Sequence, residues 1–186
     1  MTVALPKLTF EDYVAFPEDG RRHELIDGEH YVSAAPNVRH QTILGNLYAI
    51  LRELIRKHDL GWLWFGPLAV KLSEVDVVEP DLLFLARAHG DRRTGTHLDG
   101  PPDLVVEVLS ESNRRHDEVT KRRLYDRAGV EEYWIVDPVL ESVKVYRRGN
   151  DGAFDRAVEL AAERGERLET PLLPGLSVAL ADLFGS

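Results

Sequence analysis

From Asn37 to His58 apolar residues recur at helical spacing, at Ile43, Leu44, Leu47, Tyr48, Leu51, Leu54 and Ile55. This predicts a long amphipathic helix capped by Asn37. A shorter helix is expected from Thr9 to Phe16, ended by Pro17 and Asp19-Gly20. His23 to Ser33 reads as two strands joined at Asp27-Gly28, a strong hairpin signal. Trp62 to Leu72, rich in aromatic and aliphatic residues, reads as a strand, as do Pro80–Ala86 and Leu104–Leu109. The polar, glycine-containing segment Arg87–Pro102 between the last two predicts an exposed, mobile loop. A helix follows from His116 to Ala128, with Gly129 as C-cap, then strands at Glu132–Val136 and Ser142–Arg147. A turn at Asn150-Asp-Gly152 and an apolar segment, Leu176–Phe184, complete the pattern. Mixed helices and strands in this order predict one α/β domain over residues 1–186, built on a central mixed β-sheet flanked by helices.

One residue breaks the pattern. In Asp103-Leu-Val-Val-Glu-Val-Leu-Ser110, Leu104, Val106 and Val108 point one way, and Val105 and Leu109 the other, alongside Glu107. An ionised carboxylate in a strand buried on both faces loses its hydration, at a cost of several kcal/mol unless it is compensated. A cation, dense hydrogen bonding or a metal ion can compensate it. A second carboxylate, Asp81, begins the preceding apolar run, and neighbouring strands about 4.8 Å apart would let the two acids share one cation. Metal therefore leads, with a buried arginine pair as the rival for Glu107.

Composition narrows the chemistry. The chain has 186 residues, 44% hydrophobic and 30% charged, which is globular and argues against disorder. It has no cysteine, so disulfides and thiolate metal sites are excluded, and oxygen or imidazole ligands favour Mg²⁺ or Mn²⁺. A net charge of −9 argues against a general nucleic-acid coat but not against a nuclease, whose acids are neutralised when metal binds. No apolar stretch approaches the ~20 residues that span a bilayer. Met1 to Phe10 lacks a signal-peptide pattern, so a cytoplasmic protein with no membrane contact is expected. Phosphate-binding glycine loops, a serine elbow and a His-Glu-x-x-His pattern are all absent.

Other candidates surround the acidic pair. Lys121 lies on the stripe Lys121, Leu124, Tyr125, Ala128 that should face the sheet, where an amine needs an anion such as Glu107; snorkelling to solvent or pairing with Asp117 is the rival reading. Glu24 opens the first strand beside Arg21-Arg22-His23, and a solvent-facing position is its rival reading. His40 sits on the apolar stripe of the long helix, as a core residue or near the site, and the other histidines read as surface. Asp103 shares a strand face with Glu107 but stands about 13 Å away, so it reads as a strand-entry or supporting residue. The arginine pairs read mainly as solvated surface, and Trp62, Trp64, Tyr133 and Trp134 as core.

These motifs resemble the PD-(D/E)XK nuclease superfamily, and within it the Uma-type restriction endonucleases. The resembling residues are His23-Glu-Leu-Ile-Asp-Gly-Glu29, Pro36 with His40, Glu79-Pro-Asp-Leu82 and Pro102-Asp-Leu-Val-Val-Glu-Val-Leu-Ser110. They continue through Lys121, Tyr125 and Gly129-Val-Glu-Glu-Tyr-Trp-Ile-Val-Asp-Pro138. The resemblance implies a restriction-endonuclease-like fold and a metal-dependent endonuclease acting on nucleic acid, DNA being the expected substrate. It implies Asp81 and Glu107 as ligands of Mg²⁺ (or Mn²⁺), joined by the main-chain carbonyl of Val108, and Glu24 as a further acid. The superfamily's common lysine position, two residues after the acid, is here Leu109; the family's lysine on the following helix matches Lys121. His40 and Tyr125 are implied near the site. A homodimer would suit cleavage of two strands. A catalytically inactive nuclease-fold module binding nucleic acid or protein is the alternative.

Overall fold

The computed structural model describes residues 6–111 and 113–185; of the N-terminal stretch searched for a signal sequence, residues 1–5 lie outside the described residues. The chain runs through α1 (Phe10–Val14), β1 (Arg22–Ile26), β2 (Glu29–Ser33), α2 (Val38–His58), β3 (Gly61–Phe65), β4 (Val70–Ser73), β5 (Asp76–Val78) and β6 (Leu82–Ala86). A 3₁₀ turn (Arg87–Arg92), β7 (Leu98–Asp99) and β8 (Leu104–Val108) follow. A π-helical segment (His116–Lys121) leads directly into α3 (Arg122–Ala128), then come β9 (Glu132–Asp137), β10 (Ser142–Arg147), β11 (Val158–Ala161), β12 (Arg167–Leu168), β13 (Val178–Ala179) and α4 (Leu180–Phe184).

The strands form two main sheets. One is six-stranded and mixed, ordered β11-β10-β9-β8-β6-β3, with β8 and β9 parallel and its other pairs antiparallel. The other is five-stranded, ordered β2-β1-β5-β4-β7. Strand alternation divides the core. Leu104, Val106 and Val108 of β8, with Trp134 and Val136 of β9, pack against Leu47, Leu51 and Ile55 of α2. Val105, Leu109, Tyr133 and Ile135 face the other way, onto Leu124 and Tyr125 of α3 and residues of the second sheet. The two-faced reading of this strand therefore holds, and Glu107 lies on the α3 side.

Local chemistry accounts for the element boundaries. In the β1–β2 hairpin Ile26 pairs with Glu29, leaving Asp27 (φ 55°) and Gly28 (φ 74°) as a two-residue turn. Both need positive φ, which explains the Asp-Gly sequence. Asn37 caps α2, its Oδ1 accepting the His40 N–H at 2.9 Å. Gly129, at φ 88°, ends α3.

Two expectations are corrected. Trp62–Leu72 is not one strand: the cis Gly66-Pro67 bond separates β3 from β4, and the two strands join different sheets. Gly66 N–H donates to the Asp81 carbonyl at 2.9 Å, and a Cβ there would stand 2.6 Å from the Pro80 oxygen. Arg87–Pro102 is not a plain loop, since it contains the 3₁₀ turn and β7, which pairs in parallel with β4. The central mixed sheet and its flanking helices are as expected, and the five-stranded sheet stands beside them. Tyr133 and Trp134 are core, whereas Trp62 and Trp64 are only half buried, and the Arg87 and Arg93 guanidiniums lie 4.7 and 4.1 Å from the Trp62 ring. Among the described residues no helix is long and apolar enough to cross a membrane.

Candidate active site

The antiparallel register that sets Leu82 against Val106 carries Asp81, one residue earlier, to the position opposite Glu107. Both side chains are buried, and the Asp81 N–H points to Glu107 Oε2 at 3.3 Å. The Val108 N–H donates to Asp81 Oδ2 at 2.8 Å, and His40 Nε2 lies 2.9 Å from the same oxygen. Arg22 pairs with Asp81 Oδ1. Glu107 Oε1 accepts from Lys121 Nζ at 2.9 Å and from the Tyr125 hydroxyl at 2.9 Å.

Glu24 completes the group. It is buried, not solvent-facing, and its Oε1 lies 2.9 Å from Lys121 Nζ and accepts the Glu79 N–H at 2.9 Å. Lys121 thus bridges acids from β1 and β8. The π winding that precedes α3 sets Asp117 beside it, 3.8 Å from Nζ, while the Asp117 carbonyl accepts the Tyr133 hydroxyl at 3.2 Å.

Burial and charge pull these groups apart. Burial pushes the Glu107 carboxyl up and Lys121 opposes this, but the charges of Asp81 and Glu24 add to the rise. Burial would also raise Asp81, yet the His40 hydrogen bond, Arg22 and the Val108 N–H hold it below the usual range. Asp117 is raised strongly, mainly by burial. Burial works against the Lys121 charge, but Glu107, Glu24 and Asp117 outweigh it and raise its pKa well above the ordinary value.

The cluster is short of positive charge. A cleft of about 440 Å³ exposes Arg22, His40, Asp81, Glu107, Asp117 and Lys121 along its lining. Glu24 Oε2 takes no hydrogen bond among the described residues, and His116 Nε2 stands 4.0 Å from it, itself unpartnered. Two adjacent hard carboxylates in an acid-rich pocket fit a divalent cation of the Mg²⁺ type, which commonly uses one or two carboxylates with water and phosphate. Among the described residues no group of three or more His, Asp or Glu side chains is placed to hold a metal ion.

Of the residues singled out from sequence, Asp81, Glu107, Lys121, Glu24, His40 and Tyr125 all meet here, and Val108 reaches the site through its N–H. Asp103 lies apart, accepting the Ala86 N–H at 2.6 Å with His89 at 2.8 Å, a strand-entry role. Sequence reasoning missed Arg22 and His116 and gave Asp117 only as a helical partner of Lys121. Arg22 looked like one of several solvated arginines; its position two residues before Glu24, on the same strand face, was the available signal. No arginine pairs with Glu107 among the described residues; the arginine at the site serves Asp81.

A family model described as "Uma2: Putative restriction endonuclease" matches residues 10–181. The chain belongs to the Uma2 family. This Uma2 protein is 29% identical over 184 residues to "Uncharacterized protein slr1290" of Synechocystis sp., across 96% of the chain and 92% of that relative. It is similar in structure to "a putative nuclease belonging to DUF820" from Anabaena variabilis, with a TM-score of 0.81 at 18% identity, covering 95% of the chain and 97% of the other. At that identity the likeness establishes the shared fold, the mixed α/β architecture expected from the sequence.

Proposed function

We propose that this Uma2 protein is an endonuclease that hydrolyses phosphodiester bonds of nucleic acid, DNA foremost, with Mg²⁺ or Mn²⁺ held by Asp81 and Glu107. The carrying observation is the pairing of these two buried acids across β6 and β8 with Lys121 on one of them. The family description and the fold of the Anabaena protein support the reaction class. The Val108 carbonyl is the proposed third ligand. When bound, such an ion polarises the scissile phosphate and lowers the pKa of a nearby water.

The chain's own residues have separate tasks in this reading. His40 and the Val108 N–H fix the Asp81 carboxylate, and Tyr125 with Lys121 fixes Glu107. Lys121, held as a cation between Glu107 and Glu24, orients the attacking water and offsets negative charge growing on the phosphoryl group. Arg22 is the cationic anchor for a phosphate at the cleft. Glu24 Oε2, lacking a partner among the described residues, is the acceptor for a proton released at the water. A cytoplasmic setting and a two-fold pair of chains, one per strand, belong to the same proposal.

One observation favours a second reading, an inactive nuclease-fold binding module: both oxygens of Asp81 already take donors from the protein. Incubation of plasmid and single-stranded DNA with the protein in Mg²⁺, Mn²⁺ or EDTA separates the two. Cleavage in metal, abolished by EDTA and by Asp81→Ala, supports the endonuclease; no cleavage of any substrate leaves the binding module.

A further inference from the structure

Beside the acidic cleft lies a second cavity of about 820 Å³ that the proposed chemistry does not use. Half-buried rings of Phe10, Tyr13 and Phe16 line it. Tyr13 lies 6.1 Å from Phe10 at an interplanar angle of 14°, and 5.9 Å edge-on from Phe16. Glu79 lines it too. Its Oε1 accepts the Tyr13 hydroxyl at 2.6 Å, while its Oε2, shielded from solvent, has no hydrogen-bond partner among the described residues. A buried acceptor left unpaired is costly, and a donor on a ligand seated in the cavity would relieve it once the Glu79 side chain turns toward it.

The cavity is coupled to the acidic cleft by geometry. Arg22 lines both, pairing with the Asp81 carboxylate and reaching the Glu79 carbonyl at 3.5 Å. Glu79 and Asp81 are two residues apart, no more than about 7 Å of extended chain, yet one lines the aromatic cavity and the other the acidic cleft. The Glu79 N–H is itself tied to Glu24 at 2.9 Å. A phosphate at Arg22 would therefore place its own nucleoside within reach of the aromatic cavity.

We propose that this cavity receives one unstacked nucleobase next to the phosphate held at Arg22, packing it against Tyr13 and Phe16 and reading it through Glu79, with guanine preferred. The inference rests on the nucleic-acid reading of the adjacent site. Unpaired bases are bound by aromatic stacking, which accepts any base, plus hydrogen bonds to the Watson–Crick edge, which choose among them. In its ionised form the Glu79 carboxylate, whose Oε1 can accept a second donor beside the Tyr13 hydroxyl, suits the two adjacent N–H groups of guanine. Adenine and cytosine set an acceptor beside their amino group, and in thymine carbonyl oxygens flank the imino N–H and oppose a carboxylate.

The test is isothermal titration of the full chain, in EDTA, with dGMP, dAMP, dCMP and dTMP. We expect dGMP to bind about tenfold or more tightly than dTMP, the discrimination of one good paired contact. Glu79→Leu should erase that preference. Val14→Trp, at a cavity residue 67% exposed on α1, should weaken all four nucleotides without lowering the melting temperature. Equal binding of the four, absence of binding, or guanine preference retained in Glu79→Leu would overturn the proposal. Because no metal is present, the result stands apart from cleavage: a chain that cuts DNA with Mg²⁺ but shows no base preference loses only the base pocket, and one that prefers dGMP but never cuts loses only the nuclease reading.

Discussion

Asp81 and Glu107 stand opposite one another across the β6–β8 pair, two buried carboxylates with the N–H of one directed at the other. Their partners differ. Asp81 is held ionised by Arg22, His40 and a backbone amide, whereas Glu107 shares one lysine with Glu24 and is pushed toward protonation. Burying such a pair costs stability that an ordinary core would not retain, and divergent carboxyl environments of this kind cluster at functional sites.

Removing Lys121 tests how far it holds the cluster together. Lys121→Met leaves Glu107 and Glu24 buried without their shared cation, and should cost about 3–5 kcal/mol of unfolding free energy at neutral pH. Urea denaturation should recover part of that loss at pH 5, where the carboxyls are more easily protonated. A variant as stable as the wild type at pH 7 would contradict the pairing.

The two acids make opposite contributions to pH dependence. Glu107 is pushed up to about 6 from an ordinary 4.5, so its contribution to stability is present below about 4.5 and lost as pH rises through 6. Asp81, held down to about 2 against burial by His40 and Arg22, stabilises above its ordinary 3.8 and loses that contribution as pH falls toward 2. Glu107→Gln should therefore gain on the wild type by about 1–2 kcal/mol as pH rises from 4.5 to 7, read from urea midpoints. A stability difference that does not change over this range would remove the shift.

Much of this arrangement was legible in the chain. A charged residue inside Leu104-Val-Val-Glu-Val108 declares itself because strand alternation leaves it no route to solvent, and Lys121 declares itself by sharing a stripe with Leu124 and Tyr125. What was hidden depends on long-range pairing. Trp62–Leu72 has uniform strand composition, and only the packing of Gly66-Pro67 beneath Pro80-Asp81 divides it between two sheets. Leu98 and Asp99 become a strand because β4 offers an open edge, which no local propensity reveals. The π segment breaks the helical period that placed Asp117 merely one turn from Lys121, and Arg22 resembles its exposed neighbour Arg21 until the fold assigns it Asp81.

The cap of α2 also serves the site, because Asn37 holds the N–H of the residue that braces Asp81. Asn37→Ala should lower stability by about 1 kcal/mol. If cleavage is measured alongside, activity should fall more than this small loss of folded protein explains, since His40 loses its anchor. Activity unchanged at full folding would separate the cap from the site.

Arg22 occupies Asp81 Oδ1, so a metal ion proposed at Asp81 would have to compete with it. Arg22→Gln should tighten Mn²⁺ binding by about tenfold, or ~1.4 kcal/mol, while weakening binding of single-stranded oligonucleotides in EDTA. Metal affinity that falls instead would show that Arg22 organises the acids rather than opposing the ion.

The most direct measurement is calorimetric titration of the folded chain with Mn²⁺ and Mg²⁺, beside Asp81→Ala and Glu107→Gln. One ion should bind per chain, at about millimolar affinity or tighter, with binding lost in both variants while their melting transitions persist. A wild-type chain that takes up no ion, or variants that bind it as well as the wild type does, would contradict the proposed ion site at Asp81 and Glu107.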